Sequence, residues 1–95
     1  MTEIFATPNF VHVAMAVNRA REGAVTRGDA AVRTGLRRVD WVRLIEDGGR
    51  YRAEVVGVGF RLPSTRPISL ALAAELIASG VPHVTRSADQ VADGA

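Results

Sequence analysis

Cysteine is absent from the 95-residue chain, which excludes a disulfide framework, a thiolate zinc site and thiol redox chemistry. Lysine is absent too, so all 12 cationic side chains are arginines. The guanidinium fork suits phosphate oxygens, although a chain crowded with Ala, Gly and Val selects arginine for compositional reasons as well. Histidine is scarce: His12 and His83 stand far apart without a neighbouring ligand pattern, and no metal site is expected. No apolar run approaches the roughly 18 residues that span a bilayer, and the opening MTEIFATPNF has an acid where a secretory leader carries its positive charge. The expected address is the cytoplasm, with no membrane partner. Paired carboxylates and Ser/His/Asp spacings are missing, so no catalytic residue and no cofactor is expected, and the chain is not read as an enzyme. Gly57-Val58-Gly59 falls short of a phosphate loop because Leu62 stands where the third glycine belongs. A strand bulge or close packing against the C-terminal helix is the expected use of these glycines.

What is present is an ordinary globular balance, 47% apolar and 23% charged residues, enough for one packed domain that buries roughly 60% of its unfolded surface. The net charge of +2 is uneven: from Arg19 to Arg52 nine arginines face five acids, and elsewhere three arginines face five acids. A local surplus of this kind favours an anionic partner.

Residues 1 to 23 admit two periods. Val11, Val13, Met15 and Val17 alternate as in a strand, while Phe10, Val13, Ala14 and Val17 share a helical face between a Thr7-Pro8 start and a Gly23 stop. The alanines and the charged stretch after Asn18 favour the helix. Near the other end, Pro63 and Pro67 bracket an irregular link. Ser69 caps an apolar helix over Leu70 to Ser79, Gly80 ends it in the left-handed position with Val81 for the accompanying contact, and Pro82 blocks continuation. A strand is expected over 81 to 86, and a small polar tail from 87 to 95 is expected to fray. The domain proper is 1 to 86.

The middle of the chain supports incompatible structures. In one, Thr26 caps a helix with Asp29 completing a near capping box, Ala30 and Ala31 allow a second helix to approach, Gly35 turns, Leu36 plugs the angle, and Trp41, Leu44 and Ile45 face inward from the next helix. In the other, Trp41 to Asp47 and Arg50 to Val56 are strands joined by Gly48-Gly49 in a type I′ turn. That register puts Val42, Leu44, Tyr51, Ala53 and Val55 on one face, and pairs Asp47 with Arg50 and Arg43 with Glu54 on the other. A hybrid, one helix over 27 to 36 followed by the hairpin, satisfies parts of both.

The stretch Thr26-Arg27-Gly28-Asp29-Ala30-Ala31-Val32-Arg33-Thr34-Gly35-Leu36, followed by Val42-Arg43-Leu44-Ile45, resembles the helix-turn-helix of winged-helix transcriptional regulators of the IclR type over about a fifth of the chain. The resemblance implies a DNA-binding, regulator-like module. Arg37, Arg38 and Arg43 would project from the recognition helix toward duplex DNA, Arg33 would meet a phosphate, and Arg50 and Arg52 would lie in a wing-like strand. The alternative is an interaction or homo-oligomerisation module without nucleic acid, its interface formed by the apolar C-terminal helix through Leu72 and Leu76 and its partner a second copy or another protein. The fold class expected under every reading is α+β, a small sheet with the C-terminal helix packed on it and a helix-turn-helix as one option for the N-terminal half.

Overall fold

The first described element is helix α1 (Phe10–Glu22), as its alanines and helical apolar spacing require. The computed structural model describes residues 10–93, so the Thr7-Pro8 start lies outside the described residues. At the far end of α1 the expected Gly23 stop is displaced by one position. Gly23 donates to the Arg19 carbonyl, and it is Ala24 that adopts the left-handed conformation, with φ 53°.

Thr26 then caps α2 (Arg27–Val32), its hydroxyl accepting from the Asp29 amide at 3.2 Å. Gly35 turns the chain at φ 76°. Thr34, the one buried polar residue among the described residues, donates to the Ala31 carbonyl at 2.7 Å and accepts from the Leu36 amide at 3.1 Å, which fixes the exit. Beyond it the chain enters β1 (Arg38–Asp47), not a second helix. Residues 26 to 47 therefore take the hybrid course. Ala30 is fully buried, and the close approach it allows is to the C-terminal helix.

Gly48 and Gly49 have φ of 62° and 84°, the two positive values a type I′ turn needs, and return the chain as β2 (Arg50–Val58). The register is the expected one: Asp47 opposes Arg50, Arg43 opposes Glu54, Leu44 opposes Ala53 and Val42 opposes Val55. A bulge between Val39 and Trp41 lies opposite Gly57, whose missing side chain admits the Arg38 carbonyl. The segment expected as an irregular link is instead β3 (Pro63–Ile68), antiparallel to β2. It is an edge strand, the place where a proline's missing N–H costs no ladder bond.

Ser69 caps α3 (Leu70–Ala78), accepting from the Leu72 amide at 3.1 Å. The helix closes in a Schellman arrangement: Val81 donates to the Leu76 carbonyl, Gly80 donates to that of Ile77, and Gly80 takes φ 103°. Strand β4 (His83–Ser87) then adds parallel to β1, giving the order β3-β2-β1-β4. The tail does not run loose from residue 87. Ser87 and Gln90 form a reciprocal capping box (2.9 and 3.2 Å) that starts α4 (Ala88–Asp93).

The fold is thus α+β, with α1, α2 and α3 over one face of the mixed sheet. The core joins Val42, Leu44, Ala53 and Val55 from that face to Leu72, Ala73 and Leu76 of α3, with Val13, Ala30 and Leu36 sealing the rim. Full burial of a side chain such as Leu76 contributes about 1.5–3 kcal/mol. Ile45 is fully buried without belonging to this cluster. It alternates onto the opposite face with Trp41 and Arg43, and Gln90 and Val91 of α4 border a cavity with these two residues. No described helix is long and apolar enough to cross a membrane.

Candidate functional site

A recognition helix would have held Arg37, Arg38 and Arg43 within about 9 Å of axial rise. As β1 is a strand, Arg37 precedes it and Arg38 and Arg43, five positions apart along it, are separated by roughly 16 Å. Arg43 lies on the sheet face opposite α1–α3, beside Trp41, its guanidinium 5.7 Å from the ring centroid and forked onto one oxygen of Glu54 at 2.8 and 3.0 Å. Its charge is locally neutralised. Arg33 is tied to Glu75 of α3. Arg50 and Arg52 sit at the hairpin end of β2, roughly 30 and 23 Å along β1 from Arg38. The six expected contacts thus do not make one surface.

One subset does converge, at the end of the sheet where β1 begins and β2 passes to β3. Arg37 donates its amide to the Val58 carbonyl at 2.9 Å, which prolongs the β1–β2 ladder by one bond and anchors the side chain over the loop. The loop is a tight turn in which Gly59 donates to the Leu62 carbonyl at 3.0 Å, forcing Phe60 and Arg61 to its tip. Phe60 and Leu62 are 71% and 74% exposed. The Arg37 guanidinium lies 4.5 Å from the Phe60 ring centroid and that of Arg61 lies 5.6 Å away.

Arg38 joins this end but is paired with Asp40 at 2.8 Å. Arg27 reaches it from α2, 3.5 Å from the Val39 carbonyl. Arg27, Arg37 and Arg61 form no ion pair among the described residues. Three uncompensated guanidinium groups around two exposed apolar side chains make a surface suited to a polyanion that also offers flat apolar faces.

Of that surface, sequence reasoning found Arg37 and Arg38 and missed Arg27, Phe60, Arg61 and Leu62. Two large apolar residues in a Gly59-to-Pro63 link, where turns are ordinarily polar, were the available signal. The apolar helix behaves differently from an interface. Leu72 and Leu76 are 6% and 0% exposed within the core, so they are taken up by the sheet and have almost no surface to give a second chain. His12 lies on α1 and His83 opens β4, and no group of three metal-ligating side chains assembles among the described residues. Comparison with family models, with curated proteins and with solved structures finds no match to this chain.

Proposed function

We propose that the protein is a small nucleic-acid-binding module, with DNA as its partner, engaged through the sheet end formed by Arg27, Arg37, Arg38 and the Phe60–Leu62 loop. The observation that carries this reading is the exposed Phe60 ring flanked by two unpaired arginines. Arginines supply phosphate contacts that set affinity without reading sequence. An aromatic ring at a loop tip stacks on a base or wedges between base steps. A regulator-like role through a helix in the major groove is not part of the proposal, because residues 38–47 are strand.

The test is anisotropy titration of a labelled duplex and a labelled single strand across a salt series. Three unpaired arginines predict a slope of log K against log salt of about −2.7 on duplex, so that a fourfold rise in salt weakens binding about fortyfold. The Arg37→Gln/Arg61→Gln double variant should flatten that slope by about 1.8. Absence of binding to either strand form at low salt would overturn the proposal.

A second reading, self-association, has its own observation. Strand β3 guards its edge with Pro63 and Pro67, whereas β4 leaves the other edge open with His83 to Arg86 all exposed. Pairing of β4 with a second copy predicts a dimer by analytical ultracentrifugation. A strictly monomeric protein would remove this reading and leave the first intact.

A further inference from the structure

A cleft of about 230 Å³ lies between α1 and the β4 side of the sheet, away from the Phe60 loop. Its apolar wall is Val13, Ala14, Val17, Leu44 and Ile77. Its polar groups are Asn18 and Arg21 from α1, Tyr51 from β2, and His83 and Thr85 from β4. Their convergence follows from the periods of the two elements. Ala14, Val17, Asn18 and Arg21 recur at helical spacing on one face of α1, and His83 and Thr85, two apart on a strand, point the same way. Leu44 is the register partner of Thr85 and Val42 that of His83, so β4 continues the floor of the core beyond the cover of α3.

The charge in this cleft has one sign. Arg21 has no ion-pair partner among the described residues, and no acid lines the cavity. Glu46 alternates onto the same sheet face as Leu44 but accepts from the Gly49 amide at 2.9 Å, turned toward the hairpin. The volume corresponds to about eight water-sized groups and lies below the roughly 300–1,000 Å³ of sites for larger organic ligands. A nucleotide would extend well beyond the cleft into solvent, and inorganic phosphate would leave the hydrocarbon wall wet. We infer that the cleft binds a small organic monocarboxylate with a compact apolar body, of the size of benzoate or hexanoate. Arg21 receives the carboxylate, Tyr51 and Asn18 donate further hydrogen bonds, and the hydrocarbon rests on Val13, Val17, Leu44 and Ile77.

Amide chemical shifts of the full chain, titrated with benzoate and hexanoate at millimolar concentration, test this. Shifts are expected at residues 13 to 21, 44, 51, 77 and 83 to 85, with benzyl alcohol and inorganic phosphate producing much smaller ones. Arg21→Gln, at an exposed position, should weaken binding about tenfold, as loss of a charge-assisted hydrogen bond does. Ala14→Trp fills the cleft and should abolish binding. Should that variant fail to fold, Thr85→Trp at the exposed mouth serves the same purpose. No shifts at saturation, shifts confined to the Arg37 and Phe60 end, equal binding of benzyl alcohol, or indifference to Arg21→Gln would each overturn the inference.

Discussion

Replacing Gly57 with alanine should unfold the protein far more readily than the same change at Gly59, two residues away. A Cβ on Gly57 would lie 1.9 Å from the Arg38 carbonyl oxygen and 3.0 and 3.1 Å from two further backbone atoms, where ordinary contact begins at 3.4 Å. Nothing flexible can yield, so β1 and β2 must part by more than an ångström at the bulge. The bond from the Arg37 amide to Val58, at 2.9 Å, and the neighbouring ladder bonds are lost, each worth about 1 kcal/mol net. Val39, only 6% exposed, becomes partly wet at a cost of about 1 kcal/mol more. The expected destabilisation is about 3–4 kcal/mol, a fall in Tm of roughly 12–32 °C for a domain of this size. A Cβ on Gly59 meets the Ser64 hydroxyl at 2.8 Å, a side-chain atom that can rotate away. The lower entropy of the unfolded alanine chain offsets part of that strain, so the net change should stay within about 1 kcal/mol. Urea and thermal unfolding followed by circular dichroism measure both variants. Equal costs, or a cost below about 1 kcal/mol at Gly57, would refute the bulge geometry on which the placement of Arg37 and Arg38 depends.

Ala24→Gly should stabilise the chain by about 0.5–1 kcal/mol, because an exposed alanine now holds φ 53° where glycine is free of strain; an unchanged or lowered urea midpoint counts against the left-handed cap. Thr34→Val keeps the shape of the buried side chain but leaves the Leu36 amide without its 3.1 Å acceptor, and a loss of about 1–3 kcal/mol in urea unfolding is expected.

The C-terminal part of the fold was legible because its signals are local and mutually consistent. Ser69, Gly80, Val81 and Pro82 each admit one role around an apolar run, and all take it. The hairpin was equally readable, since Gly48-Gly49 and period-two alternation specify both turn and register. Strand β3 was not, because its identity is tertiary: Pro63 and Pro67 are tolerable only on an edge whose outer side faces no strand, which local pattern does not reveal. The last helix was written in plain terms, Ser87 and Gln90 at capping-box spacing, and was obscured by the expectation that small polar termini fray.

The helix-turn-helix resemblance shows why motif chemistry alone did not locate the site. Thr26, Ala30, Gly35 and Leu36 do cap, pack, turn and plug as that motif requires, but the helix they pack against is α3, about forty residues later in the chain. Each of these residues solves a local problem that several folds share. What separates the folds is the following segment. Val39, Trp41, Val42 and Ile45 are β-branched or aromatic, and the turn at Gly48-Gly49 supplies a partner strand at once, so pairing across the hairpin prevails over a lone helix. The consequence for function is geometric. A helix would have kept Arg38 and Arg43 within about 8 Å of axial rise, whereas a bulged strand leaves Arg43 beside Glu54 and turns Arg37 toward a loop that begins more than twenty residues later. The surface proposed to bind nucleic acid is therefore a product of sheet topology, and the exposed ring on which that proposal rests, Phe60, lies in a link that carried no motif at all.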